Sequence, residues 1–335
     1  MSVSTFGDLA QSYVIRRANA RLGREMQTLS TELTTGLKSD RRSAVSGDTG
    51  MIGGIERSLG RVAALSSAAR EANLHAGGVQ SILERVQGEV NRIKPDLLNS
   101  GILGGAASPN LMAENAEAGF KSVVSAINTA IGGRYSLSGT ATGTPPLRDG
   151  DAILADLETL VGGAPDADTM IARIDAYFAP TGAFMTNDYQ GNDGTLAPQE
   201  VADGMTVTME LRADDSTIRD TLAGLAKARF ANAGAFGTKG VEYEAVLQNA
   251  GAQMLRSSDE LTDHRAVIGA NEGRIELAET RNANEETALQ KARADLIGID
   301  PFETASRLRE TELQLETLYA MTARLSRLSL TNYLR

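Results

Sequence analysis

The sequence predicts a mainly α protein: an elongated, antiparallel helical coiled-coil rod made from both chain termini, with a small α+β domain inserted at its tip. Three observations carry this reading. Seven-residue apolar repeats occupy one long segment in each half of the chain. A turn-rich, strongly acidic stretch separates them. An amphipathic helical segment lies at each end.

The first segment, residues 4–37, carries Ile15, Leu22, Met26, Leu29 and Leu33 at spacings of 7, 4, 3 and 4. That spacing lines up one helical face. Gly36 and the polar S-D-R-R-S-A-V-S-G-D after it end the helix. Next, Ile55, Val62, Ala69, Ala76, Leu83, Val90 and Leu97 recur every seven residues, with Val79, Val86 and Ile93 as a second row. A seven-residue repeat keeps one seam of a helix facing a partner. Gly77 and Gly78 mark a bend or a close approach, and Pro95 is expected to end or kink the helix. A shorter helix comes after Ser108-Pro109, with Phe120, Val123, Ile127 and Ile131 inward.

From Thr140 the texture changes. T-A-T-G-T-P-P-L-R-D-G-D is rich in turn residues. Residues 151–178 read as one or two short helices around a G-G-A-P-D turn. A-F-M-T-N-D-Y and G-M-T-V-T-M-E-L-R alternate as strands do, and Thr217 to Ala231 returns to helix.

Leu247, Met254, Leu261, Ile268, Ile275, Asn282, Leu289 and Leu296 then fall one heptad apart, a row about 75–80 Å long at 1.5 Å per residue. Its companion row, Ala250, Ser257, His264, Asn271, Ala278, Glu285 and Ala292, is small or polar and admits a close neighbour. The last helix opens on Asp300-Pro301, an N-cap and a first-turn proline, with Glu303 completing a capping-box pattern. Leu308, Leu315, Leu318, Leu325 and Leu328 come next at 7, 3, 7 and 3. The division expected is therefore 1–45 with 300–335 as terminal assembly helices, 46–140 with 236–299 as helical rod, and 141–235 as the inserted surface domain.

Composition narrows function. Net charge is −10, which disfavours nucleic acid and anionic membranes as partners. Residues 145–220 hold four arginines against fifteen acids, a local charge of −11 that reads as solvated surface. No cysteine is present, so disulfides and thiolate chemistry are excluded. No apolar run approaches the ~20 residues needed to cross a bilayer, and the start of the chain lacks the basic and apolar regions of a cleavable signal.

Candidate chemistry is sparse. His75 and His264 sit in or near seam positions and read as structural residues, with no third ligand at metal spacing. G-A-F-G-T-K-G, 234–240, lacks the Gly-Lys-Ser/Thr ending of a phosphate loop. N-D-G-T-L-A-P-Q-E, 192–200, fails the calcium-loop pattern at its first and third ligands. Asp214 and Asp215 read as a solvated turn rather than a catalytic pair. No catalytic residue, metal ligand or cofactor site is expected. The feature that stands out is apolar surface on the terminal helices, where Leu313, Tyr319, Met321, Leu330 and Tyr333 lie off the main stripe. Two helices alone leave two faces wet, so packing against other copies is expected.

L-S-T-E-L-T-T-G-L-K-S at 29–39, G-R-Y-S-L-S-G-T at 133–140 and the close R-L-S-R-L-S-L-T-N-Y-L carry a resemblance. The chain resembles the flagellin and hook-associated family of the bacterial flagellum over essentially its full length, and is most similar to its hook–filament junction members. The resemblance implies an extracellular structural protein, exported by the flagellar type III apparatus without signal cleavage. It implies packing of the two terminal helices, with Ile15, Leu22, Met26, Leu29, Leu33, Leu308, Leu315, Leu318, Leu325 and Leu328 as subunit-interface candidates. Implied partners are copies of itself in a ring, hook-associated protein 1, flagellin and an export chaperone. Filament-forming flagellin, a surface enzyme on a helical stalk and a cytoplasmic coiled-coil adaptor are the competing readings.

Overall fold

A computed structural model describes residues 4–45, 47–99, 108–232 and 240–333, with side chains of the terminal helices described at residue 10 and from 12 to 324. Helices dominate: α1 (Ser4–Thr35), α2 (Arg41–Ala44), α3 (Gly50–Asn99), α4 (Pro109–Ile127), α5 (Gly150–Val161), α6 (Ala167–Tyr177), α7 (Ser216–Phe230), α8 (Val241–Ile297) and α9 (Pro301–Tyr333). Two antiparallel two-stranded ladders complete the described residues: β1 (Ala130–Ile131) with β2 (Arg134–Tyr135), and β3 (Gln199–Ala202) with β4 (Met205–Val207). The expected fold class, mainly α with a small α+β insertion, holds. The chain divides into two compact units, 1–63 with 283–335 and 64–282.

In the larger unit α3 and α8 run antiparallel. Gly77 faces Glu272, Gln87 bonds Thr262 at 2.9 Å, Lys94 bonds Ser258 at 3.2 Å, and Leu97 and Leu98 crowd Gly251. The heptad rows supply the seam: Ala69, Ala76, Leu83, Val90 and Leu97 of α3, and Leu247, Met254, Leu261 and Ile275 of α8, are all buried. Two further helices cover the pair. A Cβ at Gly119 of α4 would lie 2.6 Å from Ile93 of α3, and one at Gly224 of α7 would lie 2.8 Å from Met254 of α8. Glycine is what lets each covering helix approach so closely. Phe120, Val123, Ile127, Leu222 and Leu225 then fill the space between the layers.

Four expectations are corrected. Pro95 does not end α3, which runs on to Asn99. The proline sits near the C-terminal end of the helix, where it removes a single ladder bond, and fully buried Leu97 anchors the closing residues. Ile131 lies in β1, beyond the end of α4 at Ile127, although it is partly buried as expected. Residues 183–189 are not a strand. Phe184–Asp188 form a π-helical turn closed by Tyr189 N–H to Phe184 O at 2.9 Å. Phe184 and Asp188 are buried while Thr186 between them is exposed, so burial does not alternate as it does along a strand.

The fourth correction concerns the acidic stretch, which is not simply solvated surface. Asp149, Asp166 and Asp215 accept from backbone N–H groups at the starts of α5, α6 and α7. Asp188 is wholly buried, accepts from the Tyr177 hydroxyl and pairs with Arg148 at 2.9 Å. Arg212 holds Asp214 through two bonds of 2.8 Å. These acids thus serve helix starts and ion pairs within the unit.

Two polar members of the α8 rows serve the insert. Asn282 donates to Val201 O and Asn271 to Thr208 O, each at 2.8 Å, while Gln199 donates to Ala68 O on α3 at 3.0 Å. The β3–β4 ladder is therefore tied to both long helices by side-chain amides. The β1–β2 hairpin turns through Gly132 and Gly133, both at positive φ, the signature of a two-residue turn that needs glycine. A Cβ at Gly78 would overlap Ile131 of β1, so that glycine marks close packing.

Gly139, inside G-R-Y-S-L-S-G-T, has φ +63°, and a Cβ there would meet Asn192 O at 2.3 Å and Gly194 O at 2.7 Å. Left-handed backbone and backbone overlap both oppose any side chain. Gly139→Ala is expected to lower the stability of the 64–282 unit by about 2 kcal/mol or more. Urea unfolding of the full chain checks this, and a loss below about 0.5 kcal/mol would contradict it.

Candidate functional site

The terminal helices pair in the smaller unit. Gly36 stops α1 and donates to Glu32 O at 2.8 Å. The chain then forms a short bridge: Lys38 N–H to Ile297 O at 2.8 Å, Ile299 N–H to Gly36 O at 3.1 Å. This clamps the end of α1 beside the start of α9. The Asp300 carboxylate caps α9, accepting from Phe302 N at 2.9 Å and Glu303 N at 3.1 Å, as the sequence predicts. From the clamp the helices run antiparallel: Glu25 lies 4.0 Å from Arg307, and Tyr319 donates to Asn19 at 3.3 Å.

The predicted stripe residues divide in this pairing. Leu22, Leu29 and Leu315 are buried, with Thr304 and Thr311 beside them. Ile15, Leu308 and Leu318 are half-buried. Met26 and Leu33 are exposed, at the margin of the seam. The side chains of Leu325, Leu328, Leu330 and Tyr333 lie outside the described residues, as does 234–239 of the glycine-rich stretch.

Apolar surface continues round the pair. Tyr13 and Val14 on α1, and Tyr319 and Met321 on α9, are more than half exposed. Phe302 is 84% exposed and Leu313 63%, and their spacing of eleven places both on the side of α9 turned away from Leu315. Scattered single apolar residues are ordinary, and a set this size on two paired helices is more than that.

Both histidines fall in the larger unit, on the wall of one cavity of about 560 Å³. His75 Nδ1 lies 2.8 Å from Met209 Sδ, and burial lowers its pKa by disfavouring the imidazolium form. His264 Nε2 lies 3.1 Å from Thr217 Oγ1 and 3.4 Å from Asp215, whose carboxylate raises its pKa. Asp215 caps α7, so His264 tethers α8 to the start of α7. Asp214 and Asp215 thus have structural partners rather than forming a loose turn. Among the described residues no cluster of three His, Cys, Asp or Glu could hold a metal, and no helix is long and apolar enough to cross a membrane.

Residues 256–334 match the family model of the bacterial flagellin C-terminal helical region. No curated protein sequence matches the chain. Among solved structures, a putative flagellar hook-associated protein from Vibrio parahaemolyticus superposes with a TM-score of 0.51 at 14% identity, over 72% of this chain and 94% of that one. FlgL from Xanthomonas campestris superposes with a TM-score of 0.50 at 14% identity, over 72% of this chain and 99% of that one. The likeness to flagellin in sequence is confined to this C-terminal helical region. The fold of the chain is the one shared by FlgL and the hook-associated protein.

Two outcomes test this geometry. Leu29→Ala should loosen the α1–α9 pair by about 2–4 kcal/mol, read as faster amide exchange in both helices, whereas Leu313→Ser should change exchange by less than about 0.5 kcal/mol. The histidines should give opposite pH signs. The raised pKa of His264 adds stability that is present below 6.5 and is lost as pH rises through its folded value. The lowered pKa of His75 removes stability as pH falls below 6.5. His264→Gln should therefore cost more near pH 5.5 than near pH 8.5, while His75→Gln should lessen the acid sensitivity, both read by urea unfolding.

Proposed function

We propose that this chain is a structural protein of the bacterial flagellum that joins hook to filament, a junction protein of the hook-associated protein 3 type. The observation that supports this most directly is the unfinished α1–α9 pair, whose inner seam is buried while Phe302, Leu313, Tyr319, Met321, Tyr13 and Val14 stay in water. The fold shared with FlgL and the flagellin-type C-terminal region agree with it. In this reading the helices of residues 1–45 and 300–335 are the assembly element. The exposed residues, with Met26 and Leu33, meet neighbouring copies, and Leu22, Leu29 and Leu315 support that surface from behind.

The mechanism is coupled ordering and assembly. Two paired helices gain little from one seam, and each neighbour that covers their outer faces adds apolar burial of roughly 25 cal/mol per Å². Ordering entropy is offset only at that point. Partners in this reading are other copies in a ring, hook-associated protein 1 on one side and flagellin on the other, with a chaperone before export through the flagellar type III apparatus. The role is structural, not enzymatic.

Deleting 300–335 should leave the 64–282 unit folded by circular dichroism yet abolish capture onto hook-type seeds seen by negative-stain microscopy. Leu313→Asp should weaken capture with no change in monomer stability. Capture of the truncated chain at the full-length level would sink the proposal, and long homopolymers from the intact chain would move it to a filament-forming role.

A further inference from the structure

The cavity that holds both histidines is more than a packing fault. It lies within the 64–282 unit, walled by α3, α8 and the 208–215 segment, and its 560 Å³ falls in the range of small-molecule sites. A second cavity of about 530 Å³ adjoins it, sharing His75 and Ser136. Assembly through the terminal helices makes no use of either.

Ser136 is the first pointer. It is 6% exposed, and its hydroxyl has no hydrogen-bond partner among the described residues. A buried hydroxyl left unmet costs about 1–3 kcal/mol, so native structures almost always satisfy it. This one lines both cavities, where a bound group would meet it.

Charge is the second pointer. Four of the titratable side chains on the larger cavity are partnered with each other: Arg212 with Asp214, and His264 with Asp215. Arg274 and Glu210 also line it, and neither has an ion-pair partner among the described residues. Both are exposed, so they stand at the rim. Val79, Met209 and Ile268 add apolar surface to a wall that is otherwise largely polar. Among the described residues, one unpaired cation, one unpaired anion, some apolar surface and one unmet hydroxyl are the complement of a small zwitterion with an apolar body and a carbonyl.

We infer that this cavity binds a short zwitterionic peptide of about dipeptide size. Its carboxylate meets Arg274, its ammonium meets Glu210, its peptide carbonyl accepts from the Ser136 hydroxyl, and its apolar side chains lie on Met209, Val79 and Ile268. A free amino acid offers no internal carbonyl between its two charges, and a capped peptide offers neither charge.

The test is isothermal titration of the full-length protein with leucyl-leucine, against N-acetyl-leucyl-leucine amide as the uncharged control. The expected result is saturable binding at about 1 mM or tighter for the dipeptide and at least threefold weaker binding of the capped form. Arg274→Gln and Glu210→Gln, both exposed, should each weaken the dipeptide about threefold to tenfold without altering the circular dichroism spectrum. No saturable binding up to about 10 mM would overturn the inference and leave water as the partner of Ser136. Equal affinity for the capped dipeptide, or unchanged affinity in both variants, would overturn it as well.

Discussion

One constraint governs this chain: a pair of amphipathic helices buries one seam and leaves two sides wet. The two units answer it differently. In the 64–282 unit, α4 and α7 lie over α3 and α8, and the glycines at 119 and 224 set how closely they approach. The result is a continuous core from Ala69 to Ala278. In the other unit no described helix covers α1 and α9 in the same way, and large apolar side chains remain outside. One half of the chain buries its long helices on further sides, and the other leaves large apolar side chains in water.

Polar groups decide where the complete half begins and ends its elements. Lys227 is 2% exposed and is met by Asp175 at 2.6 Å, Asn249 at 2.8 Å and Gln253 at 2.7 Å. Burial pushes its pKa down while Asp175 pulls it up, and the three acceptors come from α6 and α8. A buried charge with full hydrogen bonding adds little net stability, but removing one partner costs several kcal/mol. Alternatives that separate α6, α7 and α8 are penalised in this way. Aspartate caps do the same for helix starts, since each satisfies donors that would otherwise be stranded.

Much of this is legible in sequence because period and capping are local. The heptad rows from Val62 to Leu97 and from Leu247 to Ile275 name buried residues almost without error, and Asp300 names its own helix start. The features that escape are non-local. The alternation of residues 183–189 is real as a pattern, yet Tyr177 and Arg148, brought in by other elements, fix Asp188 in a turn. Asn282 reads as a seam position and Asn271 as a site of close helix approach, whereas their amides hold the β3–β4 segment. The acids of 145–220 look solvated because their cation and backbone partners cannot be read from their spacing. Gly132-Gly133 is a legible hairpin signal that heptad periodicity does not register.

The terminal stripe shows the same division between pattern and environment. Periodicity identifies Leu22, Leu29 and Leu315 as apolar face without saying which helix they meet. They meet each other's helices, so the residues most evident in the pattern are used within the chain. Residues that break the pattern, such as Leu313 and Met321, are the ones left to water. For a protein that assembles, this order is physically sensible. A regular seam is what two helices need to find each other, because knobs must match holes along the whole length. A surface for further neighbours need not be periodic in one helix, since it is completed by residues from both. Leu313 and Phe302 lie on one side of α9, Tyr13 and Val14 on α1, and Met26 and Leu33 at the margin of the seam. A partner that covered α1 and α9 would meet a surface that neither helix possesses alone.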